Sequence, residues 1–147
     1  ENCNVRDWER HPFLERVWID GVCYSHYFQN THSARPIGGG VENRLAKIGS
    51  SFIQGHEQGF KPGVKELANG KTIRGIIAGS CYLHVEPYRG AQGQNHWRGL
   101  VLLHEVEDGD FSVMDVTLKY LCKKYTGLNL REYMVRKYPF QQWEHLA

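Results

Sequence analysis

Two histidines stand where a run of strand-forming residues gives way to a loop. His26 follows Val22-Cys23-Tyr24-Ser25, and His56 follows Ser51-Phe52-Ile53-Gln54 within Gly55-His56-Glu57-Gln58-Gly59. In open α/β sheets ligands collect beyond the carboxyl ends of strands, and imidazole is the commonest side-chain ligand for transition metals. A glycine ahead of a ligand histidine lets the backbone turn sharply towards an ion. The chemistry this pair offers is therefore coordination of a divalent metal. The bland alternative is that each histidine is a hydrogen-bonded structural group.

A second group lies in the glycine-rich run from Tyr88 to Gly99, which carries Arg89, Asn95, His96, Trp97 and Arg98. Arg89 or Arg98 offers a bidentate clamp for a phosphate, and Trp97 offers a face on which a nucleobase stacks. Arg89, His96, Trp97 and Arg98 are the substrate-binding candidates; a buried Trp and a salt-bridged Arg are the structural alternative. His84 and Glu86, two apart, share one face of an extended segment and form a lesser metal candidate. His11, His32, His104 and His145 read as structural or exposed. His104-Glu105 opens like a zincin motif, but Asp108 stands where the second histidine is required. No Gly-x-Ser-x-Gly nucleophile elbow occurs.

The elements that must position these groups are legible from pattern. Asp20-Gly21 between residues 16–19 and 22–28 is a strong hairpin signal, with Val22, Tyr24, His26 and Phe28 on one face by period two. Val41, Leu45 and Ile48 share a helical face ahead of Gly49. Residues 51–54 form a short strand, and a loop follows through Pro62-Gly63. Residues 72–79 and 99–106 read as buried strands, and Asp108-Gly109 turns the second into a return strand over 110–116. Leu118, Leu121, Cys122 and Tyr125 give one helix ended by Gly127. Asn129 and Glu132 resemble a capping box opening another, with Leu130, Tyr133, Met134 and Tyr138 as its buried stripe and Pro139 as its stop. The expected class is α/β, a mixed β-sheet packed by helices.

Composition sets the bounds. The 147 residues, 41% hydrophobic and 23% charged, suit residues 1–147 forming a single domain or part of one. The net charge of +2 does not by itself call for nucleic acid. No apolar stretch spans a bilayer, so no membrane partner is expected. The start lacks the features of a secretory leader. Cys3, Cys23, Cys81 and Cys122 are widely and irregularly spaced, without a C-x-x-C pair. Reduced thiols and a cytoplasmic location are expected.

The order of several segments resembles phage- and prophage-type calcineurin-like metallophosphoesterases. These are residues 10–15, 17–21 and 24–28, then Ser51-Phe52-Ile53-Gln54-Gly55-His56-Glu57-Gln58-Gly59, then residues 79–83 and 96–101, so that the likeness runs from about Glu9 to about Tyr125. It implies the C-terminal half of a four-layer α/β sandwich and a hydrolase acting on phosphodiesters or phosphomonoesters, nucleic acid among them. It further implies a site of two divalent metals, with His26 and His56 on one ion and the position of Gln58, usually histidine, on the other. Glutamine favours harder cations than imidazole does, so Mn²⁺ is the expected metal, with Mg²⁺ or iron as alternatives. The family's Asp-x-His, Gly-Asp-x-x-Asp and Gly-Asn-His segments do not occur. The expectation is a chain that supplies part of a dimetal site and partners a missing N-terminal half or a second copy of itself. The alternative is a non-catalytic binding or regulatory module derived from the same fold.

Overall fold

The structure, a computed structural model, describes residues 7–86 and 88–146. Cys3 lies outside them. The chain builds a mixed α/β fold with a five-stranded mixed sheet, a two-stranded ribbon and three α-helices. The first hairpin pairs β1 (Val17–Ile19) with β2 (Val22–Ser25), in the register Trp18 opposite Cys23. Asp20 and Gly21 both take positive φ, 48° and 80°, as a tight two-residue turn of matching twist requires. β2 is shorter than its β-formers suggest. The Ser25 hydroxyl donates to the Tyr27 carbonyl at 3.1 Å, closing a local turn. Phe28 consequently joins the cluster around Cys23 and Phe52 rather than the face that holds Val22.

α1 (Val41–Ile48) crosses to β3 (Phe52–Gln54), which lies parallel to β2. Gly49 ends α1 at φ 75°, its N–H closing on the Leu45 carbonyl. The chain then passes over to β4 (Phe60–Glu66) on the sheet edge and returns through β5 (Thr72–Ala78), which inserts parallel to β3. The order across the sheet is β1-β2-β3-β5-β4.

The strand β4 stands where the sequence suggests a loop. Pro62 is tolerated because an edge strand has one side whose N–H groups need no ladder partner. Gly63 is required by packing. It lies opposite Gly75, and a Cβ on either would come within 2.7 Å of Val41 Cγ1. The two glycines thus form a notch that seats the first residue of α1.

Alternation along the strands splits the core in two. Cys23, Phe52, Ile73 and Ile77 face α1 and bury against Val41 and Leu45. Val22 and Ile76 face the other way, onto Phe111 and the ribbon of β6 (Gly99–Glu107) and β7 (Asp110–Thr117). The second sheet face is therefore covered by the ribbon, in a helix–sheet–ribbon arrangement. Leu100, Leu102, Val113 and Met114 of the ribbon stay exposed.

α2 (Leu118–Thr126) and α3 (Leu130–Lys137) follow. Asn129 and Glu132 form a true capping box, each side chain bonding the other's backbone N–H. Leu130 and Met134 bury against Trp143 and Leu146, with Tyr133 and Tyr138 packed at the margin. Tyr125 departs from its expected stripe and is solvent-exposed, whereas Leu118 and Cys122 of α2 pack against the cluster around Leu130 and Trp143. No helix among the described residues is long and apolar enough to cross a membrane.

Candidate functional site

Parallel pairing of β2 with β3 sends both strands out of the sheet at the same rim. Ser25 and Gln54 are register partners, so the residues just beyond them become neighbours. His26 Nε2 and His56 Nδ1 lie 3.1 Å apart, with the rings nearly perpendicular at 77°. His56 adopts φ 66°, a left-handed conformation uncommon for a non-glycine residue. It turns the chain back just past the strand end. Burial lowers the pKa of His26, and the electrostatic influence of neighbouring His56 adds to it. Both effects favour the neutral ring, the form that donates a lone pair.

The pair fits a metal as two adjacent ligands. Nitrogens bound about 2.1 Å from one ion stand roughly 3.0–3.4 Å apart in octahedral or tetrahedral coordination. The same separation also suits a hydrogen bond in which one neutral ring donates to the other. Phe13 packs on His26 at 5.2 Å and Tyr27 packs on His56 at 4.9 Å, giving both imidazoles an aromatic surround. Among the described residues no group of three or more His, Cys, Asp and Glu side chains stands together.

The two residues after His56 are anchored in opposite directions. Glu57 forms an ion pair with the buried Arg44 of α1 and another with Lys61 at 2.9 Å. Burial pushes the Glu57 carboxyl up, but the hydrogen bonds and charges of Lys61 and Arg44 outweigh it and hold the group below its ordinary range. Arg44 also donates to the Gly39 carbonyl at 3.0 Å, tying the glycine loop to the same point. Gln58 donates its amide to the Tyr82 hydroxyl and, at 3.4 Å, to that of Tyr88. These bonds tie the Gln58 amide to the segment that carries Tyr82 and Tyr88.

The glycine-rich run forms a compact loop with a 3-10 turn at Ala91–Gln94. Arg98 is buried, and its guanidinium donates to the carbonyls of Tyr82, His96 and Gln94 at 3.1, 3.2 and 2.8 Å. Trp97 stacks on Phe60 at 5.0 Å and presses against Gly79 and Gly99. His96 bonds the Gly93 carbonyl through Nδ1 at 3.2 Å, while Nε2 is buried without a hydrogen-bond partner among the described residues. Burial lowers the His96 pKa; the Gly93 carbonyl opposes this, and Arg98, Arg89 and His145 reinforce it. His96, Trp97 and Arg98 line a cavity of about 260 Å³ together with Thr117, Lys119 and His145. The Arg89 side chain lies against Gly93 of the same loop.

The structure brings His26 and His56 together and sets Gln58 beside the glycine-rich loop through Tyr82. Sequence reasoning does not single out the tether between Arg44 and Glu57 or the stacking of Tyr82 on His84, at 4.3 Å and 23°. An arginine on the buried side of an amphipathic helix is the signal that points to the first. Comparison with protein-family models, characterised proteins and solved structures gives no match to this chain.

Proposed function

We propose that this chain is the C-terminal part of a metal-dependent phosphoesterase of the calcineurin-like type, with Mn²⁺ as the preferred metal. In this reading His26 and His56 would hold one ion and Gln58 would contribute to a second, with the remaining carboxylate ligands supplied from outside these residues. The observation that carries the proposal is the pair of imidazole nitrogens 3.1 Å apart at the carboxyl ends of two adjacent parallel strands. A divalent pair, when bound, would supply charge for the phosphoryl oxygens and lower the pKa of a water so that its hydroxide could attack phosphorus. The protein's own part is to favour the neutral His26 ring, to fix the His56 turn through Glu57 and Arg44, and to tie the Gln58 amide to Tyr82.

A second reading is a non-catalytic module: Trp97 and Arg98 are engaged inside the protein, on Phe60 and on three main-chain carbonyls, which withdraws the stacking face and the phosphate clamp from a substrate.

The test is Mn²⁺ titration by calorimetry, with hydrolysis of bis-p-nitrophenyl phosphate measured on the longest chain that contains this sequence. Metal binding and Mn²⁺-dependent turnover that both disappear in His26→Ala and His56→Ala support the phosphoesterase. Metal binding unchanged by both substitutions, with no Mn²⁺-dependent turnover, refutes it and leaves the non-catalytic module.

A further inference from the structure

We infer that the rim beside the histidine pair is a track for a single-stranded nucleic acid, its bases stacking on an aromatic platform built by His84, Tyr82 and Tyr88. The inference rests on the phosphoesterase reading for the chemistry at the site, and on separate observations for the strand.

The platform is preorganised. His84 stacks on Tyr82 at 4.3 Å with only 23° between the rings, and the Glu86 carboxylate holds His84 Nε2 at 3.0 Å. Tyr82 is fixed at its far end by the hydrogen bond from Gln58. The inner face of the His84 ring is thus covered and its orientation set, yet 63% of the side chain is exposed. A planar ring held edge-on by a carboxylate and left open on its outer side is suited to continue the stack with a flat ligand. Tyr88 adds a second surface. It is 77% exposed, and its hydroxyl reaches the same Gln58 amide. Large aromatic faces left in water on a loop cost free energy that a stacked partner recovers.

The platform adjoins the candidate metal site through Gln58, two residues after His56. Phe13 is also exposed and lies against His26, adding aromatic surface beside the histidine pair. Any nucleobase offers a π-face, so this readout tolerates sequence, and it needs unpaired bases.

Charge narrows the expected behaviour. Glu57 is paired with both Arg44 and Lys61, and Glu86 sets a second carboxylate against His84, so the formal charges of Arg44, Lys61, Glu57 and Glu86 cancel. Binding should accordingly depend more on stacking than on counterion release, with a shallow salt dependence.

The test is fluorescence anisotropy with labelled 15-mers of deoxythymidine and of uridine, and with a DNA duplex, in EDTA so that hydrolysis is absent. The expected result is binding of one or both single strands and much weaker binding of the duplex. The two single-stranded arms decide whether DNA or RNA is preferred. His84→Ala and Tyr88→Ala should each weaken binding by about tenfold, and Phe140→Ala, which removes a fully exposed aromatic elsewhere, should leave it unchanged. Equal binding of duplex and single strand, or no loss in His84→Ala and Tyr88→Ala, overturns the track. Mn²⁺-dependent hydrolysis of the small phosphodiester without strand binding also overturns it, while leaving the phosphoesterase standing. Strand binding with these losses, together with metal binding unchanged in His26→Ala and His56→Ala and no Mn²⁺-dependent turnover, supports the track and removes the phosphoesterase.

Discussion

One carboxylate shared by two cations lets burial be weighed against exposure. Glu57 pairs with Arg44 and with Lys61, but the Arg44 side chain is 5% exposed and the Lys61 side chain 55%. Arg44→Met keeps most of the aliphatic volume and removes the guanidinium. The Gly39 carbonyl then loses its donor, and the carboxylate loses its least solvated partner. A charge-assisted hydrogen bond contributes about 1.5–3 kcal/mol and a neutral acceptor left unpaired costs about 1 kcal/mol more. The relief of no longer burying a guanidinium offsets part of this, so a net loss of about 2–3 kcal/mol is expected. Lys61→Met removes a largely hydrated cation, worth about 0.2–1 kcal/mol. With a urea slope of about 2 kcal/mol per molar for a domain of this size, the midpoint should fall by about 1–1.5 M for Arg44→Met. For Lys61→Met it should fall by less than about 0.5 M. Combining Arg44→Met with Glu57→Gln in a double-mutant cycle should show strong coupling. Equal shifts for the two single variants, or additivity in the cycle, would refute the assignment of Arg44 as the anchor of the segment between His56 and Gln58.

Two further outcomes follow from the packing and the electrostatics. Gly75→Ala places a Cβ 2.6 Å from Phe52 Cε1 and 2.7 Å from Val41 Cγ1; overpacking should cost about 1–3 kcal/mol, read as a lowered thermal midpoint, and a neutral result would show that α1 shifts freely. His96 is held neutral by burial and by the cations around it, so its folded pKa lies below the unfolded value near 6.5. The stability it contributes is therefore complete above about pH 6.5 and is lost as pH falls towards the folded pKa, because the unfolded chain takes up the proton first. The urea midpoint should drop between pH 7 and pH 5, and His96→Asn should flatten that drop. An unchanged slope in the variant would assign the acid sensitivity to other groups.

Local chemistry made much of this architecture legible. Both Asp-Gly hairpins, the Gly49 end of α1 and the Asn129–Glu132 capping box depend on nearest neighbours, and each forms where its residues indicate. The adjacency of His26 and His56 was suggested by two strand ends but depends on β2 and β3 being parallel neighbours, which no local pattern encodes. Edge strand β4 was hidden because Pro62 and Gly63 are turn-formers by propensity; only pairing with β5 and the notch for Val41 give them strand roles. Trp97 and Arg98 illustrate the same limit. Their types suit stacking and phosphate binding, while the atoms they touch, Phe60 and three carbonyls, are set by tertiary contacts. Likewise, Tyr125 keeps helical periodicity yet lies exposed, away from the cluster that takes Leu118 and Cys122.

The two hairpin turns meet each other. Gly109 donates its N–H to the Asp20 carbonyl at 2.8 Å, and a Cβ on Gly21 would fall 2.7 Å from the Asp108 carbonyl carbon. This clasp joins positions 21 and 109, so it has a bearing on the order of folding events. Each hairpin closes a short loop, on the microsecond scale typical of such units. The clasp closes a loop of most of the chain, whose entropy must be met before the ribbon's apolar face is repaid by the sheet. Ribbon docking is then the late step, formed after the main barrier. Weakening the clasp should quicken unfolding while leaving the refolding rate nearly unchanged, and a chevron in which refolding slows instead would place the clasp in the nucleus.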